Sequence, residues 1–298
     1  MVGMDKLSYV GFWFGGLKSE DDMRRVARLL ADIGYKGVDF KDDCFDTSSH
    51  PLHEMLRIAV SATAKEGLRI PCAIRLRDHC SPGNWQKNAA ETCEFIRMSA
   101  DAGIRLVNTS IGPPPPRAEK GWYAPAARDD QKGWDALRGS LEMIAKTAED
   151  CDAYVALETV MSQLANDYFT AREMFRMVDS DHLCLTMDPS HYQLHDMDIP
   201  WSIRRWGAEK IKHVHLKDAV GSIVRSGADF PFITPLLGEG HVDWPGFFAA
   251  LDDIGYDGWY SVEFESWALA SLFSAEEAAR LSFQCAEALI RSILKGHE

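Results

Sequence analysis

The feature that most constrains this chain is a regular alternation of short apolar runs with segments whose apolar residues recur at helical spacing. In the first such segment, Met23, Val26 and Leu30 are spaced as on one face of a helix. A repeated β–α pattern predicts parallel strands covered by helices. Eight candidate strands follow this pattern: Ser8–Trp13, Gly37–Phe40, Arg69–Arg75, Leu106–Ser110, Ala153–Glu158, Leu183–Asp188, Ile211–Asp218 and Trp259–Phe264.

Glycine marks the end of several helical segments, at Gly34, Gly67, Gly103 and Gly255. Glycine suits the left-handed position just past a helix, and a candidate strand follows each time. The repeat length is about 35 residues, and eight such repeats are typical of a TIM barrel. The sequence therefore predicts an α/β fold, a (β/α)8 TIM barrel formed as a single domain by residues 1–298.

Two long connections follow predicted strands, at Gly112–Gly133 and Ala219–Asp243. Loops of this length are uncommon unless they serve a function or are disordered. In a barrel both would lie at the end where active sites form. Trp122 and Tyr123, in the first loop, are hypothesised to cover the site.

Composition excludes several classes of function. The net charge of −13 and the pI near 5.2 disfavour nucleic-acid binding, which needs a basic surface. The N-terminal sequence has no signal-peptide pattern, and no apolar stretch is long enough for a membrane span. Seven scattered cysteines without a C-x-x-C pair are typical of reduced thiols. These features predict a cytoplasmic protein that has no membrane or nucleic-acid partner.

Charged residues stand at the ends of the last four predicted strands, on the face that should point into the barrel. Successive side chains of a strand point to opposite faces. In the fifth strand, Val155 and Leu157 suit the helix-covered face, so Glu158 points inward. The same parity places three further residues inside, at the carboxyl ends of their strands: Asp188, His215 and Glu263.

Three carboxylates and one imidazole that converge in a barrel need a common partner, because an unpaired buried carboxylate is very costly. A cation is the simplest such partner. The sequence thus predicts one divalent metal ion held by Glu158, Asp188, His215 and Glu263. An oxygen-rich set without thiolate favours Mn2+, with Mg2+, Co2+ or Zn2+ as alternatives.

Individual residues also have simpler interpretations. Asp188 precedes a Pro-Ser pair and could cap a helix. His213 is more typical of a hydrogen-bonded core histidine, or of support for the predicted ligand two residues later, than of a ligand. Glu265 fits a position behind the ligands or at the rim, and Lys217 with Asp218 could form a rim ion pair.

At these residues the chain resembles the xylose-isomerase-like TIM-barrel superfamily, in its sugar phosphate isomerase/epimerase branch. The resemblance covers nearly the whole chain, and ketose 3-epimerases and inosose dehydratases belong to this branch. It rests on six segments taken together: GYKGVDF (34–40), ALETV (156–160), MDPSH (187–191), HVHLKD (213–218), GEGHVD (238–243) and YSVEFE (260–265).

The resemblance implies the same four metal ligands. It also implies that Glu158 and Glu263 form the acid/base pair and that His191 contacts substrate oxygens. The implied activity is that of a metal-dependent isomerase or epimerase acting on a ketose or related polyol through an enediolate. The alternative is a lyase or dehydratase acting on a keto-inositol or an oxidised glycoside. An apurinic-site endonuclease and a non-catalytic binding barrel are less favoured, since the chain is acidic and its ligands are intact.

Further substrate contacts are predicted around the barrel mouth. Lys217 could hold substrate oxygens, and Trp13 could form an apolar wall, although ordinary packing explains Trp13 equally well. Arg75 or Arg77 could bind a phosphate or carboxylate, although a solvated rim fits both better. The lack of a glycine-rich phosphate cradle favours a non-phosphorylated carbohydrate.

The assembly is predicted to be a homo-oligomer, a dimer or a tetramer, as the resemblance implies. The apolar C-terminal helix around Leu281–Leu294 could serve as an interface. A helix packed in the outer ring of the barrel explains the same pattern.

Overall fold

Eight parallel strands close into a barrel in the computed structural model, which describes residues 3–112, 131–223, 232–265 and 272–295. The barrel strands follow one another in chain order, and the last strand pairs with the first. The predicted (β/α)8 barrel is therefore confirmed. The strands are β1 Leu7–Val10, β2 Gly37–Lys41, β3 Ala73–Ile74, β4 Leu106–Ser110, β5 Tyr154–Glu158, β6 Leu183–Met187, β7 Ile211–Leu216 and β10 Tyr260–Val262.

Helices follow the strands and cover the barrel. They are α1 Glu20–Ile33, α2 Leu52–Lys65, α3 Trp85–Asp101, α4 Gln131–Asp150, α5 Tyr168–Met177, α6 Pro189–Leu194, α7 Ile199–Lys210, α8 Trp244–Asp253 and α9 Ala275–Lys295. In the part of the chain that the structure describes, none of these helices combines the length and apolar content needed to cross a bilayer.

Helix α1 shows how the sequence sets the boundaries of these elements. The Ser19 hydroxyl accepts a hydrogen bond from the backbone N–H of Asp22 and caps the helix. The helix buries Met23 and Leu30, among others, against the strands. Gly34, with φ of 127°, ends the helix in a conformation that a side chain would disfavour. The next strand begins three residues later.

Several strands are shorter than their apolar runs predict, including the seventh, which ends at Leu216 instead of Asp218, and the eighth, which spans only Tyr260–Val262. The first ends at Val10 instead of Trp13, and the third contains only Ala73 and Ile74. Before it, Arg69 makes an isolated bridge to Gly37. Pro71 follows and has no N–H to donate, so a regular ladder cannot run from Arg69 onward.

The connection after β7 contains structure that the sequence does not predict. Val220–Gly221 (β8) and Phe232–Ile233 (β9) form a short antiparallel pair. Residues 224–231, between them, lie outside the described residues. The hypothesised lid residues Trp122 and Tyr123 also lie outside them.

The C-terminal helix α9 is packed against the start of the barrel. The Tyr35 hydroxyl donates to the carbonyl of Ala279 (3.1 Å), and the rings of Tyr35 and Phe283 are 5.1 Å apart. Ala286 and Ile290 are fully buried. Packing within the outer ring thus accounts for the apolar pattern of Leu281–Leu294, and an oligomeric role for this helix stays a prediction.

Candidate active site

The structure brings the four predicted ligands together at the carboxyl ends of neighbouring strands. Glu158 ends β5, Asp188 follows β6, His215 lies in β7 and Glu263 follows β10. One nitrogen or oxygen atom from each lies within 4.8 Å of the corresponding atom of every other. All four residues are at most 6% exposed. The inward parity inferred from the sequence is therefore realised in all four strands.

Asp188 serves two purposes through its two oxygens. Oδ1 accepts hydrogen bonds from the backbone N–H (2.8 Å) and the hydroxyl (2.6 Å) of Ser190, and so caps α6. Oδ2 lies 2.8 Å from Lys217 Nζ and 3.5 Å from His191 Nε2. The cap interpretation is thus confirmed, and Oδ2 lies in the candidate cluster, where its role as a metal ligand stays a prediction. Capping also fixes the direction in which Oδ2 faces the cluster.

His215 faces the carboxylates through one ring nitrogen. Its Nδ1 lies 3.2 Å from Glu158 Oε1 and 3.5 Å from Glu263 Oε2. Burial alone would lower its pKa, but attraction to these two carboxylates outweighs burial and holds the pKa well above the usual value. The imidazole is therefore charged and partly neutralises the cluster.

Lys217 is a buried cation in the midst of the acids. Its Nζ is 2.8 Å from Asp188 Oδ2, 2.7 Å from Glu263 Oε2 and 3.0 Å from Glu265 Oε2. Burial opposes its charge, yet the pKa is raised well above the usual value by the surrounding carboxylates. The ammonium group is thus a fixed donor beside the candidate ligands.

The three glutamates of the cluster differ in the direction in which their pKa values are shifted. Burial raises the pKa of Glu263, but Lys217 and His215 outweigh it and lower the value to about 2. The pKa of Glu158 is also held well below normal, by the charge of His215 and by hydrogen bonds, against the effect of burial. The pKa of Glu265 is raised, by desolvation first and then by repulsion from Glu263. Glu158 and Glu263 are therefore carboxylates at neutral pH.

His191 lies at the edge of the same cluster. Its Nε2 is 3.6 Å from Glu158 Oε1 and 3.4 Å from Lys217 Nζ. Its Nδ1 is buried, and no group in the described residues hydrogen-bonds to it. A buried ring nitrogen that is left without a partner is suited to a bound polar molecule.

The geometry of the donor set fits a single divalent cation. Ligand atoms lie about 2.0–2.6 Å from such an ion, so two ligands on opposite sides are about 4–5 Å apart. The four groups, with their atoms within 4.8 Å of one another, meet this condition. The ligand set offers three carboxylates and one imidazole, and the carboxylates already attract the positive charges of His215 and Lys217. The buried cluster thus indicates a divalent metal.

Two predicted substrate contacts have other partners. Arg75 contacts Asp42 (3.3 Å) and Glu91 (3.4 Å) and lies over the ring of Phe95. Trp13 donates its indole N–H to the carbonyl of Phe264 (2.7 Å). These contacts favour a structural explanation for both residues. Their roles in substrate binding stay predictions.

Asp218 does not form the rim ion pair that the sequence leaves open. Its carboxylate accepts five hydrogen bonds of 2.9–3.2 Å, from the backbone N–H groups of Ala219, Gly238, Gly240 and Val242 and from the indole of Trp244. The GEGHVD segment is therefore wrapped around one buried carboxylate next to the candidate site.

Sequence reasoning missed two polar residues inside the barrel. Asp39, in β2, accepts from His213 Nε2 at 2.8 Å. Asn108, in β4, donates to Thr186 Oγ1 at 2.7 Å and lies 3.5 Å from Glu158 Oε2. The parity argument, applied to the last four strands only, would have found both had it been extended to β2 and β4.

Comparison with known proteins places this geometry in a family. The family model described as Xylose isomerase-like TIM barrel matches residues 27–288. The chain belongs to this family. Distant relatives of this xylose isomerase-like barrel include inosose dehydratases and ketose 3-epimerases.

Three comparisons show the range of these relatives. An inosose dehydratase from Lacticaseibacillus casei is 26% identical over 152 residues, which cover 47% of this chain and about half (49%) of that protein. The L-ribulose-5-phosphate 3-epimerase UlaE of Salmonella paratyphi C (strain RKS4594) is 25% identical and is matched over 85% of both chains. The crystal structure of the IOLI protein, which holds a zinc atom, aligns with a TM-score of 0.74 at 17% identity, over 97% of this chain and 99% of that chain. At this low identity, the similarity to the IOLI protein shows a common fold and no more.

Proposed function

We propose that this xylose isomerase-like barrel is a divalent-metal-dependent isomerase or epimerase that acts on a ketose or related polyol. The observation that carries the proposal is the convergence of Glu158, Asp188, His215 and Glu263, buried at the carboxyl end of the barrel. This is the end at which TIM-barrel enzymes place their active sites. The similarity to ketose 3-epimerases supports the choice of substrate class.

The metal ion would be held by these four residues and would polarise a substrate carbonyl as a Lewis acid. Mn2+ is the proposed ion because the ligand set is rich in oxygen, and Mg2+, Co2+ and Zn2+ are the alternatives. Zinc is the ion in the IOLI protein.

The protein supplies the proton transfers. Glu158 and Glu263 are ionised at neutral pH, so either can accept the proton on the carbon next to the substrate carbonyl. Loss of that proton gives an enediolate. Inversion requires a proton on the opposite face, which the second glutamate can deliver once it has taken a proton from solvent or from a substrate hydroxyl. Return of the abstracted proton to the neighbouring carbon isomerises the sugar.

The side chains of Lys217 and His191 would orient the substrate. Lys217 is protonated and offers its N–H groups beside Glu263. His191 offers an Nδ1 to which no described group hydrogen-bonds. Trp13 would form an apolar wall near the end of β10, where it already contacts Phe264.

Among the residues that the structure describes, the two arginines predicted to bind an anion are paired with carboxylates, and we propose a carbohydrate without phosphate. A phosphate subsite needs an available arginine or a cradle of backbone N–H groups. Arg75 is held between Asp42 and Glu91, and Arg77 makes contacts with the same two carboxylates (3.1 and 3.0 Å). Both guanidinium groups are therefore already paired with carboxylates, and neither offers an unpaired positive charge to a phosphate.

A dehydratase acting on a keto-inositol is the second candidate. The match to inosose dehydratases favours it. Elimination shares the first proton transfer and then requires an acid at the leaving hydroxyl. Glu265, whose pKa is raised, and Lys217 stand together beside Glu263 and could supply that proton.

The test replaces Glu263 by glutamine and follows the products of a panel of ketoses and keto-inositols by mass spectrometry and NMR. The metal content of each sample is measured in parallel. We expect the wild type to bind one metal ion per chain and to convert a ketose without change of mass, whereas loss of water would select the dehydratase. Glu263→Gln should lower the rate by about 10²–10⁴-fold, the usual contribution of an acid/base group.

Glu149, exposed on α4, provides the matched control, and Glu149→Gln should retain full activity. Unchanged turnover in metal-loaded Glu263→Gln would contradict the role of this residue. A wild type that takes up no metal would contradict the whole proposal.

A further inference from the structure

A buried polar pair lies inside the barrel and is not required by the chemistry proposed above. Asp39 and His213 are both fully buried, and His213 Nε2 donates to Asp39 Oδ2 at 2.8 Å. Ser8 donates its hydroxyl to the other oxygen of Asp39 at 3.2 Å. Burying a carboxyl group in a barrel core is costly, and apolar residues would fill this space without that cost, so the pair calls for a functional explanation.

The pair is adjacent to the candidate ligand His215. The rings of His213 and His215 have centroids 5.2 Å apart and planes at 82°, so one ring edge packs against the other ring. One atom each of Asp39, His213 and His215 lies within 4.8 Å of the others. The pair is thus a direct neighbour of this ligand.

The two nitrogens of His215 have different surroundings. Nδ1 faces Glu158 and Glu263, as a metal ligand must. Nε2 is buried, and no group in the described residues hydrogen-bonds to it. A ligating histidine needs its proton on the nitrogen away from the metal, and a nearby carboxylate favours that arrangement.

We propose that Asp39 and His213 are positioning residues for the metal site, an inference that rests on the proposed function. Metal binding requires that His215 lose its Nδ1 proton and keep the proton on Nε2, and the nearby Asp39 carboxylate stabilises the proton that stays on Nε2. His213 fixes the carboxylate through its hydrogen bond and fixes the plane of His215 by edge-to-face packing.

The same three residues are not arranged as a second cation site. His215 is already one of the four ligands of the proposed metal ion, and without it only Asp39 and His213 remain to hold a second ion. A stoichiometry of one metal ion per chain is therefore expected, and binding of two ions would overturn the proposal.

The test compares Asp39→Asn with the wild type. Zn2+ binding is measured by isothermal titration calorimetry, and the ring nitrogens of His215 are observed by ¹⁵N NMR in the metal-free and zinc-loaded protein. We expect a loss of metal affinity of about 10–100-fold, the usual effect of removing such a supporting group. The NMR spectrum of zinc-loaded wild type should show Nδ1 coordinated and Nε2 protonated, and in zinc-loaded Asp39→Asn the Nε2 resonance should shift because the carboxylate beside it is gone.

His213→Gln gives a graded variant, because glutamine retains an N–H donor toward Asp39, and it should lose less affinity than Asp39→Asn. His79→Gln is the matched control. His79 is also fully buried, but its Nε2 hydrogen-bonds to Thr109 and it belongs to neither group of candidate ligands. This variant should lose stability and keep wild-type metal affinity.

The outcomes separate the two proposals. Wild-type affinity and an unchanged His215 spectrum in Asp39→Asn would overturn the positioning role while leaving the metal site intact. An equal loss of affinity in His79→Gln would assign the effect to general weakening of the core, and would also overturn that role. Absence of metal binding by the wild type would remove the proposed function itself.

Discussion

Replacement of Lys217 by methionine tests how the buried cluster is stabilised. The ammonium group is 3% exposed and lies within 3.0 Å of three carboxylate oxygens, on Asp188, Glu263 and Glu265. Methionine keeps much of the length and apolar volume of the lysine stem and removes only the charge. In the variant, His215 is the remaining cation in contact with these acids within the described part of the chain.

The size of the effect follows from the contacts. At an effective dielectric constant of about 20, each contact near 3 Å contributes about 5 kcal/mol of attraction, most of which desolvation offsets. Removing one partner of such a buried pair costs about 3–5 kcal/mol, because the remaining charges are left uncompensated. For a chain of 298 residues we expect Tm to fall by roughly 5–8 °C.

Thermal unfolding of the metal-free protein, followed by circular dichroism, measures this cost. Addition of Mn2+ should narrow the difference in Tm between wild type and Lys217→Met, because a divalent ion supplies positive charge to the same carboxylates. Lys210→Met is the control, since the Lys210 ammonium contacts the Leu183 carbonyl and the ring of Phe175. This account would be refuted if metal-free Lys217→Met had the same Tm as the wild type. It would also be refuted if the difference in Tm between the two proteins widened with Mn2+.

Two further predictions concern the surroundings of the site. A Cβ on Gly240 would lie 2.0 Å from Asp218 Oδ1, so Gly240→Ala should lower the free energy of unfolding in urea by about 1–3 kcal/mol or more. Gly83→Ala is the control, because a Cβ there meets no atom within 4 Å and the variant should keep the wild-type stability. Equal urea midpoints for the two variants would contradict the packing of the GEGHVD segment around Asp218. The depressed pKa values of Glu158 and Glu263 (about 2 for the latter) mean that their stabilisation is complete above the unfolded value near 4.5 and is lost as the pH falls toward 2. Metal-free protein should therefore unfold more readily at each step from pH 5 to pH 2, and Glu263→Gln, measured over the same range, should show a shallower decline.

Much of the candidate site could be predicted because its signals are local in the sequence. Alternation along a strand depends only on neighbouring residues, so Glu158 and Glu263 could be assigned to the inner face without knowledge of the partners. The helix cap at Asp188 is likewise local, since it joins residues two apart. Arg75 shows the limit of this reasoning, because its position at a strand end leaves open an anion site or a solvated rim. The structure instead pairs its guanidinium with Asp42 and Glu91.

The sequence by itself determined the eight-fold β–α repeat, the inward parity of the last strands and hence the group of four candidate ligands. Only the tertiary structure decided which atoms meet. It placed Lys217 among three carboxylates, wrapped the GEGHVD segment around Asp218 and joined Asp39 to His213, 174 residues apart. Periodicity is set by the backbone over a few residues, whereas charge pairing depends on closure of the barrel, which brings distant strands to within hydrogen-bond distance.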